Sequence, residues 1–266
     1  MSPQDVIEPR AAHAFRCKAA RFAEYRTVTV DGALCIVGSG IRGEHKTRLF
    51  FDRVDNTKLL LSLLELYEKL GDGLYNHVDA RISNEQIAAI VEWCSLYGLP
   101  MEERGSADSD SSYPLWTDNG LIGFRVSSFY NRLRDLYTCY ELWCRIAFGD
   151  VPNNYYSTHS ISVQECYSHL KARMVTLDIK LCPNFENDPP TFTYECDGYI
   201  ETAKAQLFLL CCTNPGAPVI GACSVCGKPF PKRRKNNTLC DDCHRRAYER
   251  TRAKRKKEAS KHAKDN

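Results

Sequence analysis

The 266-residue chain has no long apolar run. Nowhere do about eighteen uncharged apolar residues follow one another, so no membrane span is expected. The first ten residues, MSPQDVIEPR, place no apolar stretch behind a basic start. They do not read as a secretory signal, and a cytoplasmic location is expected. No internal repeat is visible. Helices and strands do not alternate in the way that would demand a parallel sheet. No nucleophile, base and acid converge in the pattern either: His45, His77, His159 and His169 are isolated, and Glu186, Asp188 and Asp197 fit a solvated loop and a strand end. The expectation is therefore a protein that is not an enzyme.

What is present is a soluble-type composition, 43% hydrophobic and 26% charged, of a length that suits one large domain or two smaller ones. Fourteen cysteines is a high count. In a reducing compartment they are not read as disulfides, and clustered ones suggest metal. Ten are scattered through the first 212 residues and are expected in the core, with Cys211-Cys212 ending a buried helix. The net charge of +3 conceals an asymmetry. From Pro218 to the end there are 15 Lys+Arg against 5 Asp+Glu, while residues 1–217 carry 21 against 28. An acidic body with a basic tail favours an anionic partner at one end of the molecule.

Residues 1–25 read as a tether with a short helix around Ala11–Tyr25. TVTV, Asp31-Gly32 and ALCIV read as a β-hairpin on a type I′ turn. Gly38-Ser-Gly40-Ile-Arg-Gly43 matches G-x-G-x-x-G, but no apolar helix follows, so dinucleotide binding is not expected. Apolar spacing predicts helices over Asn56–Leu70, behind a capping box at Ser83–Gln86, over Ser127–Phe148, from a second capping box at Ser162–Glu165 to about Val175, and over Tyr199–Cys212. LDIKLC and TFTYEC read as a second strand pair. GSADSDSS, within residues 101–112, reads as a flexible loop, and Thr213–Pro218 as a linker. The expected fold class is α+β: a mostly helical body over residues 1–214 with two small β-hairpins, then a treble-clef finger with a basic helix over 219–260, and a tail over 261–266.

The finger rests on Cys223, Cys226, Cys240 and Cys243. C-x2-C, thirteen residues, then C-x2-C is the spacing of a zinc site. Gly227 follows the first pair and suits a knuckle turn that needs positive φ. Phe230 can cover the apolar side of the metal. KPFPKRRKNNTLC reads as two extended pieces around Asn236-Asn237. The second pair opens a helix, with Asp241 and Asp242 at its positive end. Four thiolates fill the shell of one zinc ion and imply a structural rather than a catalytic metal. His244 is expected to face solvent or an anion.

CSVCGKPF and CDDCHRRAYERTRAKRK are similar to the C-terminal treble-clef fingers of bacterial CGNR-type proteins, in which a mainly helical body precedes the finger. The likeness covers about the last fifty residues. It implies a transcription regulator with the four cysteines as ligands. Cys-His-Arg-Arg stands where that family has Cys-Gly-Asn-Arg, and the first cysteine pair is the more closely spaced. LCDDCHRR also resembles the end of an HNH endonuclease. No His, Asp or Glu lies between Gly227 and Leu239 to bind a catalytic metal, so nuclease activity is not expected.

Beyond the quartet, HRRAYERTRAKRKKEASKHAKDN favours helix but has little apolar stripe, so it projects into solvent or lies along something charged. Arg233, Arg234 and Lys235 before the second cysteine pair, with Arg245, Arg246, Arg250 and Arg252 on the helix, are the candidate nucleic-acid contacts. DNA is expected rather than RNA. The alternatives are a solubilising tail and an adaptor whose finger grips an acidic protein. The body is left to sense, to form a homodimer or to recruit a protein partner.

Overall fold

The computed structural model describes residues 14–20, 22–41, 50–54, 58–71, 74, 81–100, 115–116, 122–148, 161–174, 177, 179–184, 191–196, 198–213, 220–232 and 236–262. Along the chain come β1 (Ala14–Ala20), β2 (Phe22–Val30), β3 (Ala33–Ile41), β4 (Phe50–Val54), α1 (Lys58–Leu70), α2 (Asn84–Tyr97), β5 (Leu99–Pro100), β6 (Leu115–Trp116) and β7 (Ile122–Arg125). The second half gives α3 (Val126–Phe148), α4 (Val163–Met174), β8 (Lys180–Asn184), β9 (Thr191–Cys196), α5 (Tyr199–Thr213), β10 (Ile220–Ala222), β11 (Pro229–Pro231) and α6 (Asp241–His262). The protein is mixed α+β, mostly helical, with small, largely antiparallel sheets.

Each body helix forms where its apolar period predicts. In α1 Leu59, Leu60, Leu63, Leu64, Leu66, Tyr67 and Leu70 are buried. Gly71 ends it at φ 72°, a conformation that favours glycine, and its N–H donates to the Tyr67 carbonyl at 2.8 Å. The Ser83 hydroxyl accepts from the Gln86 N–H at 3.2 Å while the Gln86 side chain accepts from the Ser83 N–H at 2.8 Å, the reciprocal box that starts α2. Ser162 and Glu165 repeat it at α4, at 2.6 and 3.2 Å. Helices α1 to α5 contribute Leu63, Trp93, Leu133, Cys166 and Ile200 to one core, closed on the sheet side by Ile36 and Phe124. Trp93 joins it with its ring stacked on Tyr97 at 5.0 Å and its Nε1 donating to Ser62 at 3.1 Å. Of the scattered cysteines, Cys35, Cys94, Cys139, Cys144, Cys166 and Cys196 are buried, as expected, while Cys182 on β8 is half-buried.

Both expected hairpins are present, each enlarged into a sheet. Asp31 (φ 50°) and Gly32 (φ 77°) form the turn between β2 and β3, with Val30 opposite Ala33. Two positive φ values are the signature of a type I′ turn. Strands β7 and β6 extend this pair into a sheet of order β2-β3-β7-β6. The second pair, β8 and β9, belongs to the sheet β4-β1-β9-β8, with β5 also on β1. The helix expected around Ala11–Tyr25 is corrected: the described part of that segment is β1 and β2. Backbone pairing of Cys17 with Asp52 and, in parallel, of Arg16 with Glu195 overrides the local preference of an alanine-rich stretch.

Gly38 has a packing reason unrelated to cofactors. A Cβ built there would lie 2.2 Å from the Phe22 ring. Strand β3 sits between antiparallel neighbours, which is not the setting of a dinucleotide fingerprint. The loop near 101–112, the linker expected over Thr213–Pro218 apart from Thr213, which ends α5, Gly43, His45, His77, His159, Glu186, Asp188, Asp197 and the side chains of Cys211 and Cys212 lie outside the described residues.

Candidate metal centre and basic helix

Strands β10 and β11 hold the first cysteine pair between them. Ile220 pairs with Pro231 and Ala222 with Pro229, and the chain turns through Cys223–Gly227. The turn closes by Gly227 N–H to the Cys223 carbonyl at 2.8 Å and Cys223 N–H to the Lys228 carbonyl at 2.9 Å. Gly227 has φ 76°, which its position in the knuckle required. The hairpin thus encloses the first cysteine pair instead of turning at Asn236-Asn237. Two prolines in β11 leave one flank of that strand without donors, so a short two-strand ribbon is what this segment can build. After it the chain returns to the knuckle, where Ser224 N–H meets the Thr238 carbonyl at 2.8 Å.

Helix α6 brings the second pair. Cys240 precedes its first residue and its carbonyl receives the His244 N–H at 2.9 Å. Cys243 lies in the first turn, with Asp241 and Asp242 beside it at the positive end of the helix. The order is one ribbon strand, the knuckle, the second ribbon strand and then the helix, which sets the four cysteines between ribbon and helix. Cys223, Phe230 and Cys243 form a small buried cluster against which Cys226, Leu239 and Cys240 pack, so Phe230 covers the site as expected.

The four Sγ atoms lie within 4.8 Å of one another, and those of Cys226 and Cys240 are 3.7 Å apart. A tetrahedron of thiolates about 2.3 Å from zinc has edges of about 3.8 Å. The same separation is far beyond the roughly 2.05 Å of a disulfide. The donor set and its spacing therefore fit one metal ion. Electrostatics point the same way. Burial raises the Cys223 thiol, but the backbone N–H groups of Cys240, Cys226 and Val225 outweigh it and hold the pKa down to about 6. Burial and the neighbouring sulfurs push Cys226 and Cys243 up. Four thiols this close cannot all ionise without a cation between them.

The finger leans on the body. Ile220 is fully buried in the core of the helical body, and the Tyr140 hydroxyl donates to the Gly221 carbonyl at 3.4 Å. Lys232 is buried, with its stem against Gly221, and burial lowers its pKa. A cleft of about 510 Å³ separates α1 from the finger, walled by Glu65 and Glu68 on one side and Asp241 and Asp242 on the other over Phe230. Burial raises the pKa of Glu68 against the hydrogen bond from Tyr137.

Arg245, Arg246, Arg250 and Arg252 all stand exposed on α6, as do the remaining described side chains from His244 to Arg255. Arg245 meets Asp242 at 3.1 Å in a pair open to solvent on both sides. Arg233, Arg234 and Lys235 lie outside the described residues. A charge group that the pattern did not announce joins three helices: Asp135 on α3 meets Arg173 of α4 at 2.9 Å and Lys204 of α5 at 3.0 Å. These residues are 31 to 69 positions apart in the chain, and only helix packing brings them together.

No family model matches the chain, and neither the curated proteins nor the solved structures contain a match. Among the described residues no helix is long and apolar enough to cross a membrane.

Proposed function

We propose that the C-terminal finger is a zinc-stabilised module that presents a cationic helix to nucleic acid, and that the protein is a DNA-binding transcription regulator. One observation carries this reading. The helix that leaves the four-thiol cluster is 22 residues long, and every described side chain beyond Cys243 is open to solvent, with arginines at 245, 246, 250 and 252. A lone polar helix of this kind gains little from its own fold. Anchored on a rigid metal knuckle, it can neutralise phosphates and release their counterions. With all four ligands from the protein, zinc would have a structural role and supply folding energy to a unit too small for its own core. The likeness to CGNR-type fingers supports the regulatory part of the reading. The helical body, with its different charge, would sense, dimerise or recruit.

The test is binding to mixed-sequence duplex DNA across a salt series. The expected result is a steep, linear fall of log K with log salt. Replacing Arg245, Arg246 and Arg250 by Ala should reduce that slope by about 2.7, at about 0.9 per phosphate contact. Absence of binding at low salt would reject the reading in favour of an adaptor that grips an acidic protein.

A further inference from the structure

We infer that the metal site and the helical body fold as one unit. Closing the four thiolates on zinc and seating Ile220 in the body core are a single event, so the metal sets the stability of the body as well as that of the finger. The inference rests on the zinc reading of the four cysteines and not on nucleic-acid binding.

Strand β10 is three residues long and is anchored at both ends. Its first residue, Ile220, is fully buried in the core that α1 to α5 share. Ala222, two residues on and on the same face of the strand, packs partly buried against that core. Between them the Gly221 carbonyl accepts the buried bond from the Tyr140 hydroxyl. The Tyr140 ring in turn lies 5.8 Å from Tyr137 and 6.2 Å from Trp143, inside the aromatic packing of α3. The next residue along the chain is Cys223, a buried member of the four-thiol cluster. One peptide bond thus joins a residue packed on the body to a metal ligand. Strand β11 is tied in the same way. Phe230 packs on the thiols, and Lys232 lies buried over Gly221, where a Cβ would come within 2.7 Å of its Cδ.

The ribbon has little stability of its own. It consists of three residue pairs, and two of its six residues are prolines without a backbone donor. A two-stranded hairpin in isolation is marginal even when longer. Its order therefore comes from its ends, the thiol cluster and the body core. Without a cation the crowded thiols no longer hold the knuckle end, and Ile220 is left on a strand whose partner is not fixed. The free energy of binding a structural metal is folding free energy. Here it extends through β10 to Ile220. Coupling of this kind is reciprocal: if the metal favours the seating of Ile220, the seating of Ile220 favours the metal to the same degree.

The experiment uses the full chain under a thiol reductant, with zinc bound or stripped by a strong chelator. Competition against a chromophoric chelator gives the zinc affinity of the wild type, Ile220→Ala and Ile90→Ala. Ile90 is as fully buried in the same core, but on α2, which packs mainly on α1 and β2. Far-UV circular dichroism establishes that each variant is folded at the assay temperature. Zinc affinity should fall by about tenfold or more in Ile220→Ala and by less than about threefold in Ile90→Ala. Stripping zinc from the wild type should lower the Tm of the body by about 4 °C or more. If Ile220→Ala does not fold, Ile220→Val against Ile90→Val gives the same comparison, with a loss of about twofold or more expected only for Ile220→Val. Wild-type affinity in the Ile220 variant, equal losses in the two variants, or a body transition that does not move when zinc is stripped would overturn the coupling and leave the zinc reading standing. A wild-type chain that binds no zinc would remove both.

Discussion

Ile220→Ala tests how the finger is fastened to the body. Ile220 opens the ribbon of the finger, three residues before Cys223, yet its side chain is fully buried among the core residues of the helical body. Truncation removes three carbons from a closed site, and buried Ile→Ala changes cost about 2–5 kcal/mol. For a body of this size each kcal/mol lowers Tm by about 2–4 °C, so a fall of about 4–20 °C is expected. The proper control is Val225→Ala in the same ribbon turn, where the side chain is 67% exposed and the change should stay within about 0.5 kcal/mol. Far-UV circular dichroism reads the body, because α1 to α5 dominate the helical signal. If Ile220→Ala shifted the main transition no more than Val225→Ala does, Ile220 would not be part of the body's core and the finger would be an independent bead.

Two further perturbations probe the body. Gly38→Ala should destabilise the body by about 1–3 kcal/mol, because the added methyl would lie 2.2 Å from the Phe22 ring and force it to move; denaturant unfolding reads the loss. Asp135 gives a pH dependence: burial would raise its pKa, but Lys204 and Arg173 outweigh that and lower it. A carboxylate depressed in the folded state stabilises above its unfolded pKa, near 3.9, and that contribution is lost as pH falls below it. Acid titration of wild type against Asp135→Asn should show the variant with the shallower loss of stability.

The helices were legible because each carries its own signal. Leu59, Leu63 and Leu70 recur at helical spacing, and Ser83 and Ser162 hold capping boxes whose bonds are all present. The four-cysteine cluster was legible for a similar reason: cysteine spacing constrains a knuckle locally, and Gly227 marks its left-handed turn. The sheets were not legible to the same degree. Strand β1 is defined by partners at residues 50–54 and 193–196, and an alanine-rich segment has no local property that names them. The finger ribbon was placed one step too late because Asn236-Asn237 looks like a turn, whereas the turn that forms is the one that brings Cys223 and Cys226 together. The Asp135–Arg173–Lys204 group belongs with the sheets, since three helices must pack before those charges meet.

The central claim is a closed four-thiolate metal site that stiffens a cationic helix, and zinc stoichiometry tests it most directly. Elemental mass spectrometry of the purified chain should return one zinc per molecule, retained through dialysis and lost in Cys226→Ser and Cys240→Ser. A chain that holds no zinc after growth in zinc-replete medium, or one that keeps a full equivalent when Cys226 and Cys240 are both replaced, would contradict the account.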